Sequence, residues 1–320
     1  MSAFDKNDKI YVAGHNGMVG SAIVRCLMQS GCGNILVKTH NELDLKDQFA
    51  TDRFFDEEKP DHVFMAAAAV GGILANMNDQ ARFLMDNLQI ECNLIDSAYR
   101  HGVKKLLFLG SSCIYPKEVE QPLSETALLS GVLEPTNEGY AIAKIAGLKL
   151  CEYYNKQYGV DFVSIMPCNL YGYNDNFDLE KSHMLPALIR KFHEAKMSGA
   201  ESVTVWGTGK VFRELLFVDD LAEACVFMIN NYSGAEFLNA GYGEDHTIAE
   251  IAQIIKDTVR FEGEIVYDTS KPDGMFRKLM DSSKIRALGW RPKTTLREGI
   301  ARTYEWYVRN ADCMIGRKGI

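Results

Sequence analysis

The stretch "KIYVAGHNGMVGSAIVRCLMQSG", residues 9–31, constrains the fold more than any other part of the chain. An apolar run ends at Gly14, glycines recur at 17 and 20, and a helical stretch follows until Gly31. At this spacing Gly14 permits a tight turn and Gly17 lets the backbone approach a ligand. Gly20 lets the helix pack closely on the strand. The helix start also offers free N–H groups and a positive dipole end to an anion. A strand–turn–helix of this kind predicts a dinucleotide-binding βα unit.

The pattern repeats through the first half. "NILVK" (34–38), "HVFMAA" (62–67), "KLLFLG" (105–110) and "DFVSIM" (161–166) are short apolar runs that read as buried strands. Helical stretches separate them: "KDQFATDRFFDEEK", Asp79 to His101, and 140–159. Fully apolar strands alternating with helices imply a parallel sheet covered on both faces. Right-handed crossovers then predict an α/β protein with a Rossmann-type doubly wound sheet. After Pro167 the pattern loosens. "SVTVWG" (202–207) and "RELLFV" (213–218) mix with helices over 184–198, 219–231, 247–259 and 296–311. The expectation is a Rossmann domain over 1–170, joined again by segments near 212–240, and a smaller mixed α/β substrate domain over 171–320.

Bulk properties exclude several classes. With 35 basic and 43 acidic side chains the net charge is −8, and no basic run marks a nucleic-acid surface. No apolar run approaches the ~18 residues of a membrane span, and the polar start "MSAFDKNDK" leaves no room for a signal peptide. Eight scattered cysteines form no C-x-x-C pair, so the expectation is reduced thiols in a cytoplasmic protein without a metal site.

Chemistry is concentrated at "GSSCIYP" (110–116) and "YAIAK" (140–144). Tyr140 and Lys144 lie i, i+4 on a helix and so project from one face. A phenol of pKa ~10 is a poor proton donor or acceptor near neutrality. A neighbouring ammonium is expected to lower that pKa and ease proton transfer to a carbonyl oxygen. Ser111 follows an apolar strand, at the edge where such sheets bind ligands, and can donate to the same oxygen. An NAD enzyme places an acid after the second strand to hold the ribose 2′-OH. Here Lys38 and His40 precede the first acid, Glu42, which favours NADP(H) and leaves NAD(H) open.

At these residues the chain resembles the GDP-L-fucose synthase family of the extended short-chain dehydrogenase/reductases. "GSSCIYP", "EPTNEGYAIAKIAGLKLCE", "MPCNLYG" and "SHMLPALIRKFHEA" carry the resemblance, which runs from "YVAGHNGMVGSAI" to "SKPDGMFRKLMD". It implies an enzyme that epimerises GDP-4-keto-6-deoxy-D-mannose at C3 and C5 and reduces its C4 ketone with NADPH. It also implies that the second half binds the nucleotide sugar and that the enzyme is a homodimer built on the helices near 79–101 and 140–158.

Epimerisation beside a ketone needs an acid–base pair distinct from the reductive Tyr and Ser, and the resemblance assigns it to Cys113 and His183. It implies cofactor contacts from Gly14, His15, Asn16, Gly17, Met18, Val19 and Gly20, from Lys38 and His40, and from Leu109, Gly110, Ser111 and Ser112. Tyr140, Lys144, Pro167, Cys168, Asn169, Leu170 and His183 complete that set. Asn169, Lys191, Trp206, Arg213, Asp273 and Lys278 are the implied substrate contacts.

The chain departs from the family pattern at Asn16 and His40, where the family has arginines that would face a 2′-phosphate. It also departs at Ala69, at Gly139 (for Pro), at "YGYNDNF", at Lys191 (for Arg) and at Phe217. The catalytic set is intact while its rim differs. GDP-colitose synthesis and a GDP-heptose epimerase/reductase are therefore alternative chemistries, and a cofactor-sensing regulator is a further alternative of another class.

Overall fold

A computed structural model describes residues 5, 7–179, 182–271 and 273–314. The first half delivers the expected alternation: β1 (Ile10–Ala13), α1 (Met18–Gln29), β2 (Ile35–Leu36), α2 (Gln48–Glu58), β3 (His62–Met65), α3 (Ile73–Asn78), α4 (Gln80–Arg100), β4 (Lys105–Leu109), α5 (Glu138–Tyr158) and β5 (Phe162–Pro167). The second half runs β6 (Asn169–Tyr171), α6 (Met184–Ser198), β7 (Ser202–Trp206), β8 (Phe212–Phe217), α7 (Val218–Asn231), β9 (Leu238–Ala240), β10 (Asp245–Thr247), α8 (Ile248–Val259), β11 (Glu264–Asp268), α9 (Ser283–Ala287) and α10 (Leu296–Met314).

Six strands form one parallel sheet in the order β2-β1-β3-β4-β5-β9. Every residue of β1, β3, β4 and β5 is buried, which is why their sequences read as unbroken apolar runs rather than alternations. Helices α4 and α5 pack side by side with α2 against α4, while α1 packs on α7. The chain turns in opposite directions from β1 to β2 and from β1 to β3, and such a switch point opens a crevice beyond the carboxyl ends of the strands.

Three-stranded β10-β8-β6 and two-stranded β11-β7 make up the smaller sheets. A second apolar cluster lies here, built on Phe192, Phe217, Ile251, Ile255 and Tyr307, while α7 and β9 contribute to the first cluster, around the large sheet. No described helix is long and apolar enough to cross a membrane.

Candidate active site

The glycine loop closes as its spacing predicts. Gly14 has φ +80°, and a Cβ there would fall 2.7 Å from the Ala67 nitrogen. A Cβ on Gly20 would lie 2.1 Å from the Gly14 carbonyl oxygen. Both glycines are therefore demanded by the turn itself. Gly17 is different: it is exposed, its φ of −79° suits any residue, and a Cβ would meet only the Gly14 oxygen at 3.4 Å. It is the N-cap of α1, without a side-chain cap or an acid in the first turn. N–H groups without a side-chain cap, and a first turn without an acid, fit a pyrophosphate.

His15 and Asn16 sit at the loop tip, and Met18 and Val19 open the helix. Beyond β2, Lys38 is half-buried, and His40 Nδ1 stands 3.8 Å from Asp44. Glu42 is occupied by Thr39, accepting its N–H at 2.7 Å and its hydroxyl at 2.6 Å.

The reactive residues gather beyond β4. Leu109 ends that strand and Gly110 follows; Ser111 caps a short 3₁₀ turn over Ser112–Ile114 by accepting the Cys113 N–H at 3.3 Å. Tyr140, on the first turn of α5, is buried and hydrogen-bonds Ser111. One helical turn on, Lys144 Nζ donates to the Leu109 carbonyl at 3.1 Å and lies 5.8 Å from the Tyr140 ring centroid. The structure corrects the expectation that Lys144 lowers the phenol's pKa. Burial raises it well above its usual value, with Cys113 and Glu91 adding to the rise and the Ser111 hydrogen bond opposing it.

Behind burial and Cys113, the third contributor is Glu91, a residue the sequence reading missed. Its carboxylate, on α4, lies 3.2 Å from Lys144 Nζ, with side-chain exposures of 1% and 3% respectively. Burial raises the Glu91 pKa against the pull of Lys144. A pair so deep neutralises most of the field that Lys144 would exert on Tyr140. Glu91 also explains Gly147, where a Cβ would lie 2.6 Å from the Glu91 carboxylate. The signal available in the sequence was one acid on the inward face of a helix that also buries Asn87, Leu94, Ile95, Ser97 and Ala98.

His183 is the N-cap residue of α6. Its side chain is exposed, yet desolvation by the protein around it, with the charge of Lys278, pushes its pKa below the usual imidazole value. Pro167 ends β5, Cys168 donates its N–H to Ala240 at 3.1 Å, and Asn169 and Leu170 begin β6 of the three-stranded sheet.

Farther along, Trp206 is exposed at the end of β7, with Lys191 Nζ 5.2 Å and Lys271 Nζ 5.4 Å from its ring centroid. Lys271 is a further cation that the sequence reading passed over. Arg213 donates to the Phe212 and Met275 carbonyls at 2.6 and 2.7 Å. Asp273 accepts the Thr208 N–H at 2.7 Å and its hydroxyl at 2.8 Å, so it clasps two loops together. Among the described residues no group of His, Cys, Asp and Glu is arranged to hold a metal ion.

A dinucleotide cradle beside a Ser–Tyr–Lys group defines a carbonyl reductase, here with the Cys113 thiol two residues after Ser111. Over 97% of this chain and 96% of the relative, the sequence is 60% identical to GDP-L-fucose synthase 1 of Arabidopsis thaliana. Over 95% of this chain and 98% of the relative, it is 50% identical to GDP-L-fucose synthase of Escherichia coli. A GDP-L-fucose synthetase from Naegleria fowleri, solved bound to NADP, superposes with a TM-score of 0.91 at 32% identity, covering 97% of this chain and 96% of that one. The chain belongs to the NAD dependent epimerase/dehydratase family, whose pattern matches residues 10–241, and within it to the GDP-L-fucose synthases.

Proposed function

We propose that this enzyme converts GDP-4-keto-6-deoxy-D-mannose to GDP-L-fucose, inverting C3 and C5 and then reducing C4 with NADPH. The observation that carries the reading is the juxtaposition at β4 and α5. Cys113 lies two residues after Ser111, Ser111 bonds Tyr140, and Lys144 sits one turn behind it.

Gly14, Gly17 and Gly20 with the first turn of α1 would hold the pyrophosphate, Lys38 and His40 the 2′-phosphate side, and Lys144 the nicotinamide ribose. Bound there, reduced NADP supplies the hydride that C4 accepts. Tyr140 supplies the proton. Its raised pKa keeps the phenol protonated through neutral pH, as a donor to the ketone oxygen requires. Ser111 holds that oxygen with a second hydrogen bond.

For each inversion, one of Cys113 and His183 removes the proton beside the ketone and the other returns one to the opposite face. On a D-manno chair the C3–H and C5–H bonds lie on the same face, so the pair must regain its starting protonation before the second inversion. Lys191, Trp206, Arg213 and Lys278 line the route proposed for the GDP portion, with Asn169 beside the sugar. Asp273 contributes through the Thr208 clasp.

Turnover of GDP-4-keto-6-deoxy-D-mannose with NADPH, followed by NMR of the product, tests the reading. GDP-L-fucose is expected; a product lacking C3 inversion would move the enzyme to a related GDP-keto sugar. The same reading carries a homodimer through α4 and α5, whose outer faces expose Met85, Ile142, Tyr153 and Tyr158. Sedimentation at twice the chain mass is expected, and a monomer would refute it. Cys26, Cys92, Cys113, Cys151, Cys168 and Cys225 are thiols outside any disulfide, which fits a cytoplasmic setting.

A further inference from the structure

Asn137 occupies the N-cap of α5, where an asparagine ordinarily turns its side-chain oxygen onto the N–H groups of the first turn. Here the side chain makes no such cap. Its Nδ2 instead donates to Cys113 Sγ at 3.1 Å, and its Oδ1 is buried without a partner among the described residues. The amide is therefore oriented by the sulfur alone, at the cost of a helix cap. The Asn137 backbone is fixed by its own N–H bond to the Glu134 carbonyl at 3.2 Å. Cys113 is held from the other side by the bond of its N–H to Ser111.

We propose that Asn137 is the positioning residue for Cys113, aiming the sulfur and stabilising its anionic form during proton transfer. This rests on the proposed epimerase/reductase reading and deepens it. A hydrogen bond to an anionic acceptor is stronger than one to a neutral acceptor, so an N–H aimed at sulfur favours the thiolate over the thiol. That helps whether Cys113 is the base, where the thiolate is the reactant, or the acid, where it is the product. A half-turn of the amide would present Oδ1 to an S–H, so one side chain serves both protonation states. Cys113 also interacts with Tyr140, which has Lys144 and Glu91 behind it. Asn137 thus sits on the same helix start as Tyr140 and ties the epimerising group to the reducing one.

The test is the rate of Cys113 alkylation by iodoacetamide as a function of pH, read by mass spectrometry of its peptide in the ligand-free, full-length enzyme. Asn137→Ala should slow alkylation near pH 7 about five-fold. Asn137→Asp, which can only accept and adds a negative charge, should slow it more. Asn137→Ser keeps an O–H donor and should recover part of the rate; since the Asn137 side chain makes no cap, the Ala variant removes none. Unchanged alkylation profiles in the Ala and Asp variants would overturn the proposal. Since no sugar is present, that result is independent of the assigned reaction. The reaction itself would fail separately, if Cys113→Ser still exchanged the C3 and C5 protons.

Discussion

Lys144 illustrates how a buried charge can be tuned by a neighbour that contributes nothing to the reaction directly. Its ammonium sits against the Leu109 carbonyl and the Glu91 carboxylate, so Tyr140 meets a nearly neutral pair rather than a bare cation. Glu91→Gln should expose the phenol to the full charge. The alkaline limb of the reduction rate should then move down by about one pH unit. The variant should also lose on the order of 3 kcal/mol of stability, because Lys144 is left buried and uncompensated. An unmoved limb in a stable variant would refute this account of the pair. Tyr140, Lys144 and Ser111 were legible because i, i+4 spacing and a strand end are local geometry. Glu91 and Asn137 were not legible as partners. Their contacts, Glu91–Lys144 and Asn137–Cys113, join distant segments that meet only in the folded chain.

At the scale of elements, the segments outside the large sheet carry two strongly perturbed acids. Asp175, between β6 and α6, accepts the Asn176 N–H at 2.8 Å with one oxygen, while the other is buried without a partner among the described residues; burial pushes its pKa up to about 7. Glu214, on β8, accepts the Gly243 and Met280 N–H groups at 2.6 and 2.8 Å, and burial raises it to about 7 as well. In both cases the folded pKa lies above the unfolded one. The unfolded chain therefore releases these protons at ordinary carboxylate pH while the fold retains them. Stability should fall as pH rises from about 4 to about 7. Asp175→Asn keeps the acceptor and removes the charge. It should stabilise the protein at pH 8 by about 1–3 kcal/mol and change little at pH 4, as thermal unfolding would show. Equal effects at the two pH values would contradict the assignment. The short strands of the second half were also the least legible elements: β6, β9 and β10 are three residues each, too short for a period to register. β11, over Glu264–Asp268, half-buried and alternating, was passed over too.

Over the whole molecule, the parallel sheet was legible because burial on both faces forces continuous apolar strands, and the glycine loop fixed where the chain first turns. How the later segments share the two apolar clusters was not legible, since α7 and β9 reach the first cluster through long-range packing. The crevice beyond the sheet brings together segments that are remote in sequence, and the central claim is that it performs inversion and reduction in one place. The most direct measurement is turnover of GDP-4-keto-6-deoxy-D-mannose with NADPH in D₂O, with NMR of the product for the wild type and Cys113→Ser. The account predicts GDP-L-fucose deuterated at both C3 and C5 from the wild type, and from Cys113→Ser a reduced 6-deoxyhexose that keeps the D configuration without deuterium at either carbon. Deuterium at both positions from Cys113→Ser, or at C5 alone from the wild type, would contradict it.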